Sequence, residues 1–460
     1  MKINYKKRCL DTTTYALVLA GGGAKGAYQI GVWKALKELK IKIGAVIGNS
    51  VGALNGALFI QGGFNQAVDL WQNMSIDKLV SIPKELVKER ALNLEGKAIT
   101  HLKEMQKRFF QNKGLDTAPL KNLLEQYVDE KKIRKKKIDF GIVTYQINDF
   151  KPHEIYLDEI EDGLLTEYLL ASASIPFVFK STEIKGKQFV DGGVYDNIPF
   201  AMTKGRGYKN IIVVDISGLG INKKPDISGT NVIYIKNSID EGHILDFRSD
   251  FINNFMNLGY LDTLKVFGKI DGIDYFYDED KKLYNILEKI LFDDSAKPEY
   301  LKYLNGRKKA MNINEIKSAI RERLLPKFRY NANLIISLAE SAALSLNIKR
   351  NKLYTFKEFV TEIWHKYCEI EKEVSSFKDK KYNNFFEIIS NELKKKDFTQ
   401  DIKDFFHKSA YEHEKALEVI FGGGNKKPDL HPKIFANFFP NLLAAKIFFV
   451  VLKKYFSCKT

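Results

Sequence analysis

Residues 45–54 of the chain read Ala45-Val46-Ile47-Gly48-Asn49-Ser50-Val51-Gly52-Ala53-Leu54. The apolar run at 45–47 predicts a buried strand, and the helix formers at 53–60 predict a helix. A strand, a tight turn and a helix around Gly-x-Ser-x-Gly are the context of a nucleophile elbow. Gly48 and Gly52 would let strand and helix approach, and Ser50 would lie where helix amides favour negative charge. An ordinary Gly-Ser turn is the alternative, so the pattern needs support from the rest of the chain.

A second pattern of strand, glycine turn and helix precedes this one. Residues 15–20 predict a strand, and apolar residues at helical spacing predict a helix over 27–40. The loop between them fits the dinucleotide fingerprint Gly-x-Gly-x-x-Gly. That fingerprint expects an acidic residue about 20 positions further on, and no carboxylate lies between Glu38 and Asp69. The loop reads Gly21-Gly22-Gly23-Ala24-Lys25-Gly26.

The backbone amides of this loop have another possible use. Consecutive glycines expose several N–H groups in a tight concavity, which can hold an oxyanion. Lys25 adds a positive charge beside them. Two strands that end in amide donors and in a serine would supply two of the parts that an acyl-transfer site needs.

Such a site also needs a base. None of the seven histidines follows an obvious strand, so we looked for a carboxylate at a strand end. Residues 187–190 predict a strand that stops at Asp191, and Gly192 and Gly193 let the chain turn away. Asp-Gly is also a frequent turn. Asp196 is a second carboxylate nearby, and we interpret it as structural because Asp191 has the strand-end position.

Four motifs in this order resemble the patatin-like phospholipase family. Asn197 and Pro199, behind the last motif, are similar to that family as well. Each motif alone is weak, but their order and their structural contexts make the resemblance specific over roughly residues 15–200. The motifs are Gly21-Gly22-Gly23-x-Lys25-Gly26, Gly48-x-Ser50-x-Gly52, Ala171-Ser172-x-x-x-Pro176 and Asp191-Gly192-Gly193.

The resemblance implies a three-layer αβα domain with a mainly parallel central sheet. It also implies a serine–aspartate dyad without a histidine, in which Ser50 is the nucleophile and Asp191 the base. The amides of residues 21–26, chiefly Gly22 and Gly23, would form the oxyanion hole. Lys25 stands where the family most often has arginine, which puts a tight clamp by this residue in doubt. The substrate would be a lipid or phospholipid ester, and the chemistry needs no metal or other cofactor.

The composition of the chain changes near residue 280. The net formal charge is +16, of which residues 1–280 carry +3 and residues 281–460 carry +13. A basic surface attracts polyanions such as anionic headgroups, although a solvated helical face is the plainer interpretation. We therefore expect a lead-in at 1–14, a catalytic domain at 15–280 and a basic α-helical domain at 281–460. Further strands are predicted at 140–145, 210–216 and 232–235, the last two of them parallel. Helices are predicted near 251–264 and at 284–292, 313–324, 332–347, 356–373, 383–395 and 401–421.

The most apolar helical segment spans residues 434–456. It is interrupted by Pro440, Asn441 and Lys446, a profile that favours attachment to a membrane interface over spanning. Packing against the body of the protein is an equally good interpretation. The sequence has no uninterrupted apolar stretch of the ~20 residues that a spanning helix needs.

Cellular location and partners follow from these patterns. The three widely spaced cysteines and the lack of a signal peptide predict a cytoplasmic protein with peripheral membrane attachment. We expect a lipid substrate, contact with an anionic membrane surface and no nucleic-acid partner, and the oligomeric state stays open. Two alternatives remain: a dinucleotide-binding protein that uses residues 21–26, and a membrane-binding module whose C-terminal helices are the working part.

Overall fold

The computed structural model describes residues 14–82, 87–92, 114–176, 178–304, 311–325, 333–376 and 440–457. The chain divides into a first unit, Met1–Lys269, and a second unit, Ile270–Thr460. The sequence analysis placed its boundary later, at residue 280. The difference arises because residues 276–278 form a strand that pairs within the second unit.

The first unit is built on a central sheet of eight strands, with a separate two-stranded hairpin. Some of its strands form where apolar runs predicted them, whereas others have too little sequence pattern to be predicted. In chain order they are β1 (Thr14–Leu19), β2 (Lys42–Asn49), β3 (Val87–Lys88), β4 (Ala91–Leu92), β5 (Asp139–Gln146), β6 (Lys151–Tyr156), β7 (Thr182–Ile184), β8 (Lys187–Asp191), β9 (Asn210–Asp215) and β10 (Asn231–Lys236).

The sheet is mixed. Its order is β10-β9-β1-β2-β5-β8-β7, with β6 also paired to β5. The strands from β10 to β5 run parallel to their neighbours, so the parallel pairing predicted for residues 210–216 and 232–235 is confirmed. The pairings of β6, β7 and β8 are antiparallel, which the sequence analysis did not foresee.

The connections between the strands carry the helices of the first unit. Helices lie where the sequence predicted them after β1 and β2 and near residues 251–264. This arrangement confirms the predicted α/β class. The helices are α1 (Ala27–Glu38), α2 (Val51–Gln61), α3 (Phe64–Gln72), α4 (Ala118–Tyr127), α5 (Glu130–Arg134), α6 (Leu165–Ser172), α7 (Phe200–Gly205) and α8 (Ser249–Val266).

Helix α1 packs closely against α8 through two glycines. A Cβ atom added at Gly31 would lie 1.8 Å from the carbonyl oxygen of Met256, and one added at Gly259 would lie 2.0 Å from that of Tyr28. Both obstacles are backbone atoms, which cannot move aside as a flexible side chain can. The two helix backbones therefore touch, and they hold α1 in place behind the loop of residues 21–26.

The second unit is largely helical. The helices predicted at 284–292, 313–324, 332–347 and 356–373 are present, while those predicted at 383–395 and 401–421 lie outside the described residues. Strands β11 (Phe276–Asp278) and β12 (Leu353–Thr355) pair in parallel. The helices are α9 (Lys281–Leu291), α10 (Lys297–Leu304), α11 (Ile313–Leu324), α12 (Leu334–Ser345), α13 (Phe356–Ser376) and α14 (Pro440–Ser457).

Helix α14 is the described part of the apolar segment at 434–456. Its side chains Leu443, Ile447, Phe448 and Val451 are fully buried in the core of the second unit. Interfacial attachment and packing against the protein were equally good predictions for this segment, and for α14 the structure supports packing because its apolar face is covered by protein. Among the described residues, no helix combines the length and hydropathy that crossing a bilayer requires.

The contact between α1 and α8 predicts the effect of a single methyl group. Gly259→Ala should lower the free energy of unfolding by about 1–3 kcal/mol, because the helices must separate to accommodate the Cβ atom. Gly205→Ala is the matched control, since nothing lies within 4 Å of the position of its added Cβ atom. Thermal unfolding should show a Tm several degrees lower for Gly259→Ala and unchanged or higher for Gly205→Ala. Equal Tm values would contradict the close packing.

Candidate active site

Ser50 lies at the tip of the turn between β2 and α2. Its backbone has φ +53° and ψ −129°, a conformation that non-glycine residues rarely adopt. Such strain costs about 1–3 kcal/mol and persists only where the surroundings enforce it. Here the Ser50 N–H donates to the Ser172 hydroxyl oxygen at 2.9 Å, and that hydroxyl donates to the Val143 carbonyl at 2.8 Å. Ser172 therefore fastens the strained turn to β5.

The two glycines of the turn are required by space. A Cβ atom added at Gly48 would lie 2.4 Å from the carbonyl carbon of Gly52. One added at Gly52 would lie 2.2 Å from the carbonyl oxygen of Leu19 in β1. Strand, turn and helix are thus in backbone contact, as expected for a nucleophile elbow.

Strand β5 explains how an aspartate reaches the serine. One edge of β5 pairs with β6 over residues 141–146. On the other edge, β2 pairs with residues 139–143 and β8 pairs with residues 144–146. Strands β2 and β8 therefore lie end to end along the same edge of β5, and they run toward each other.

The last residues of these two strands face consecutive residues of β5. Asn49, at the end of β2, is opposite Val143, and Asp191, at the end of β8, is opposite Thr144. The residue after Asn49 is Ser50. The serine and the carboxylate that the sequence analysis selected are therefore brought together, by a strand that arrives from the opposite direction.

Asp191 is almost fully buried and well supplied with donors. Its Oδ1 accepts from the backbone N–H of Gly193 at 2.7 Å and from the Asn49 amide at 3.1 Å. The Ser50 side chain is near enough to this carboxylate to favour its ionised form, and so lowers the pKa of Asp191. Burial raises the pKa of the Asp191 carboxyl above its ordinary value, and the interactions with Ser50, Gly193 and Asn49 partly oppose the rise. A raised pKa makes the carboxylate a stronger base.

The glycine loop lies beside the serine, and its amides divide into two groups. The N–H groups of Gly21, Ala24 and Lys25 donate to backbone carbonyls within the fold. Within the described part of the chain, the amides of Gly22 and Gly23 have no such acceptor. Gly23 has φ +56°, which favours glycine. These are the two amides that the sequence analysis considered the chief oxyanion donors.

Lys25 has a defined partner. Its ammonium group lies 2.6 Å from the Asp240 carboxylate and 3.3 Å from the Ser217 carbonyl oxygen. Its side chain is 8% exposed. The sequence analysis placed a positive charge beside the loop amides, and in the structure that charge is shared with Asp240.

Two asparagines link the three parts of the site. The Asn49 amide donates to Asp191 and also to the Asn197 side-chain oxygen at 3.2 Å. The Asn197 amide donates to the Gly21 carbonyl at 3.3 Å. This buried chain of amides runs from the carboxylate to the glycine loop, so serine, aspartate and loop are held as one assembly.

The family model for patatin-like phospholipase matches residues 17–204. This segment is therefore similar to patatin-like phospholipase domains. Patatin-like phospholipase domain-containing protein 6 of Homo sapiens is 26% identical over 227 residues, and lysophospholipase nte1 of Aspergillus terreus is 27% identical over 217 residues. The matches cover 48% and 47% of this chain but only 14% and 13% of those proteins.

Two solved structures are similar over most of the chain at low identity. VipD from Legionella pneumophila matches at 14% identity with a TM-score of 0.34, and the type III effector protein ExoU at 13% with a TM-score of 0.28. Each alignment covers 94% of this chain, and 91% of VipD and 93% of ExoU.

An apolar cavity opens from Ser50 into the patatin-like domain. Its empty space is about 800 Å³, including its open mouth. Leu54 and Leu58 follow Ser50 at four-residue intervals along α2, so they line one wall over about 12 Å. The remaining wall is also mainly aliphatic and aromatic, and includes Trp71, Met74, Leu79, Leu120, Leu124, Tyr127, Phe179 and Phe247.

No metal site accompanies the patatin-like domain within the described ranges. These ranges contain no group of three or more histidine, cysteine, aspartate or glutamate side chains that could hold a metal ion. Asp196 is buried but forms no part of the assembly around Ser50. Its carboxylate accepts from the Ile198 N–H at 3.2 Å, and burial raises its pKa to about 6.

The sequence analysis missed the roles of Asn49 and Ser172. Ser172 was quoted only as part of a motif, because its partners Ser50 and Val143 are distant in sequence. Asn49 had one local signal: it is a polar residue that closely follows the apolar run at 45–47. Such a residue, directly before a predicted nucleophile, deserves inspection as a buried hydrogen-bond donor.

Removing the Asn49 amide should change how Asp191 titrates. Asn49→Ala deletes a hydrogen bond that favours the carboxylate, so the pKa of Asp191 should rise further. The ionised form is the base, so reactivity should be lost at a higher pH on the acid side, by about one to two units. The measurement is the rate at which a fluorophosphonate probe labels Ser50 as a function of pH. Asn231→Ala, an exposed asparagine, is the control, and an unmoved profile in Asn49→Ala would refute this role.

Proposed function

We propose that this chain is a serine lipid acyl hydrolase that cleaves fatty acyl esters of lipids or phospholipids. The observation that carries the proposal is the placement of Ser50 beside the buried Asp191 carboxylate, where two strand ends meet on β5 and Ser50 lines an apolar cavity. The named relatives, a patatin-like phospholipase domain-containing protein and a lysophospholipase, support the same class of substrate.

The first half of the reaction forms an acyl-enzyme. The Ser50 oxygen attacks the ester carbonyl carbon while Asp191 takes the hydroxyl proton. Negative charge develops on the carbonyl oxygen, where the amides of Gly22 and Gly23 can stabilise it. The tetrahedral intermediate then collapses, the alcohol leaves with the proton from Asp191, and the fatty acyl group stays on Ser50.

The second half releases the fatty acid. Water enters, gives a proton to Asp191 and attacks the acyl carbon, and the Ser50 oxygen recovers a proton as it leaves. An aspartate is ordinarily too weak a base for a serine hydroxyl. The buried position of Asp191 reduces that mismatch, because desolvation raises its pKa. The oxyanion donors must supply much of the remaining stabilisation.

The cavity supports a long acyl chain as the group that is transferred. Its lining is almost wholly apolar, so the transfer of a hydrocarbon chain from water into the cavity has a favourable free energy. A polar headgroup has no comparable set of partners in this cavity. The headgroup would therefore remain outside, on the leaving-group side of the ester.

The two alternatives have less support. A bound pyrophosphate would use the amides of the glycine loop, but three of them already donate to backbone carbonyls. A membrane module that works through its terminal helix would need an uncovered apolar face, and that of α14 is buried. We retain the expectation of a cytoplasmic protein that meets lipid at an anionic membrane surface, which the net charge of +16 supports.

Catalysis should depend on the dyad and not on the neighbouring carboxylate. Ser50→Ala and Asp191→Asn should each reduce kcat for a soluble short-chain ester by roughly 10³-fold or more. Asp196→Asn is the matched control, because asparagine keeps the oxygen that accepts from the Ile198 N–H. Its kcat should stay within a few-fold of wild type. Undiminished turnover by Ser50→Ala would end the proposal.

Blocking the far end of the cavity should discriminate between acyl chains. Leu58 lies two helical turns from Ser50, and Leu58→Trp would fill the space there. We expect kcat/KM for a long-chain ester to fall by roughly tenfold or more, with little change for a short-chain ester. The short-chain ester also shows that the variant is folded. Equal losses for both esters would mean that the acyl chain lies elsewhere.

A further inference from the structure

The loop that follows β9 exposes large apolar side chains. Leu219 is 75% exposed and Ile221 is 55% exposed. Val194, which follows the turn after Asp191, is 40% exposed. Exposed aliphatic side chains that cluster in this way mark an interaction surface more often than scattered ones do. We call residues 218–224 the docking loop.

The docking loop is fastened to the turn that follows Asp191. The Ile221 N–H donates to the Gly193 carbonyl at 2.8 Å, and the Asn197 N–H donates to the Ile221 carbonyl at 2.7 Å. A Cβ atom added at Gly220 would lie 2.9 Å from the Gly193 carbonyl oxygen. Ile221 and Val194 are therefore close neighbours. Val194 directly follows Gly193 of the proposed base motif, and Ile221 is hydrogen-bonded to that glycine.

The same loop also touches the glycine loop. A Cβ atom added at Gly218 would lie 2.0 Å from the Gly21 carbonyl oxygen. One added at Gly22 would lie 3.1 Å from the Gly218 Cα atom. A surface that engages Leu219 and Ile221 would thus lie next to both the proposed oxyanion donors and the proposed base.

Positive charge follows the apolar residues. Lys223 and Lys224 are both exposed. The Lys223 ammonium lies over the ring of Tyr195, 2.9 Å from its centre. Aliphatic side chains flanked by lysines suit the boundary between acyl chains and anionic headgroups, because each kind of group finds a favourable layer.

We propose that the docking loop inserts Leu219 and Ile221 into an anionic lipid surface while Lys223 and Lys224 contact its headgroups. This inference rests on the proposed function in one respect, since a lipid acyl hydrolase must meet its substrate at such a surface. A protein partner could also cover an apolar patch. The lysines and the contact with the glycine loop favour lipid.

Vesicle binding tests the loop without any need for catalysis. In the full chain carrying Ser50→Ala, we would measure co-sedimentation with vesicles of phosphatidylcholine, with and without phosphatidylserine. Leu219→Glu/Ile221→Glu should weaken partition into the anionic vesicles by roughly 10- to 100-fold. Lys223→Gln/Lys224→Gln should remove most of the preference for phosphatidylserine.

Ile227→Glu is the matched control. Ile227 is 45% exposed in the same connection, but it lies near the start of β10, toward the opposite end of the parallel strands. Its substitution should leave vesicle binding unchanged. Unchanged binding by Leu219→Glu/Ile221→Glu, or an equal loss in Ile227→Glu, would overturn the proposal. In the former case, the patch would be better explained by a protein partner.

A fluorescent probe reports insertion directly. Leu219→Trp adds a fluorescent side chain to the docking loop, and its emission is obtained as the difference from the parent chain. This emission should shift to shorter wavelength on anionic vesicles, and brominated acyl chains should quench it. No shift and no quenching would contradict insertion. With Ser50 restored, all loop variants should hydrolyse a soluble short-chain ester as wild type does. If wild type fails on that ester, the proposed function fails, while the vesicle result still decides the role of the loop.

Discussion

The site depends on one arrangement of hydrogen bonds, the sharing of one edge of β5 by two strands that run toward each other. Strand β2 delivers Ser50 and strand β8 delivers Asp191, each at a strand end. No sequence-local element could place these groups together, because 140 residues separate them. The glycine loop is then joined to the pair through Asn49 and Asn197.

The local parts of this arrangement were predictable from the sequence. The strands, the helices after them, the elbow glycines and the strand-end position of Asp191 all have short-range signals. The direction of β8 had none, since a short strand reads alike in either orientation. Ser172 and Asn49 acquire their roles from pairings with distant residues. The sequence left open whether lipid or protein covers the terminal segment, because an apolar helix has the same sequence pattern in either case. In α14 the apolar face is covered by protein.

The electrostatics of the proposed site follow from burial. Hydrogen bonds from Gly193 and Asn49 favour the ionised form of Asp191, although its buried surroundings favour the neutral form. Asp196, also buried, accepts from the Ile198 N–H and has a pKa raised to about 6. The two carboxylates are five positions apart in sequence, yet only one is linked to the serine. The docking loop is hydrogen-bonded to the turn that follows Asp191, so substrate delivery and the proposed chemistry would depend on the same turn.

The pairing that carries Asp191 is short, with three residues of β8 opposite residues 144–146 of β5. The parallel core of the sheet has longer ladders. Local opening begins where the fewest hydrogen bonds must break. The hairpin of β7 and β8 could therefore detach while the remaining strands stay assembled. On heating, the proposed hydrolytic activity would then be lost before the circular dichroism signal changed. On cooling, the activity would return without refolding of the whole domain.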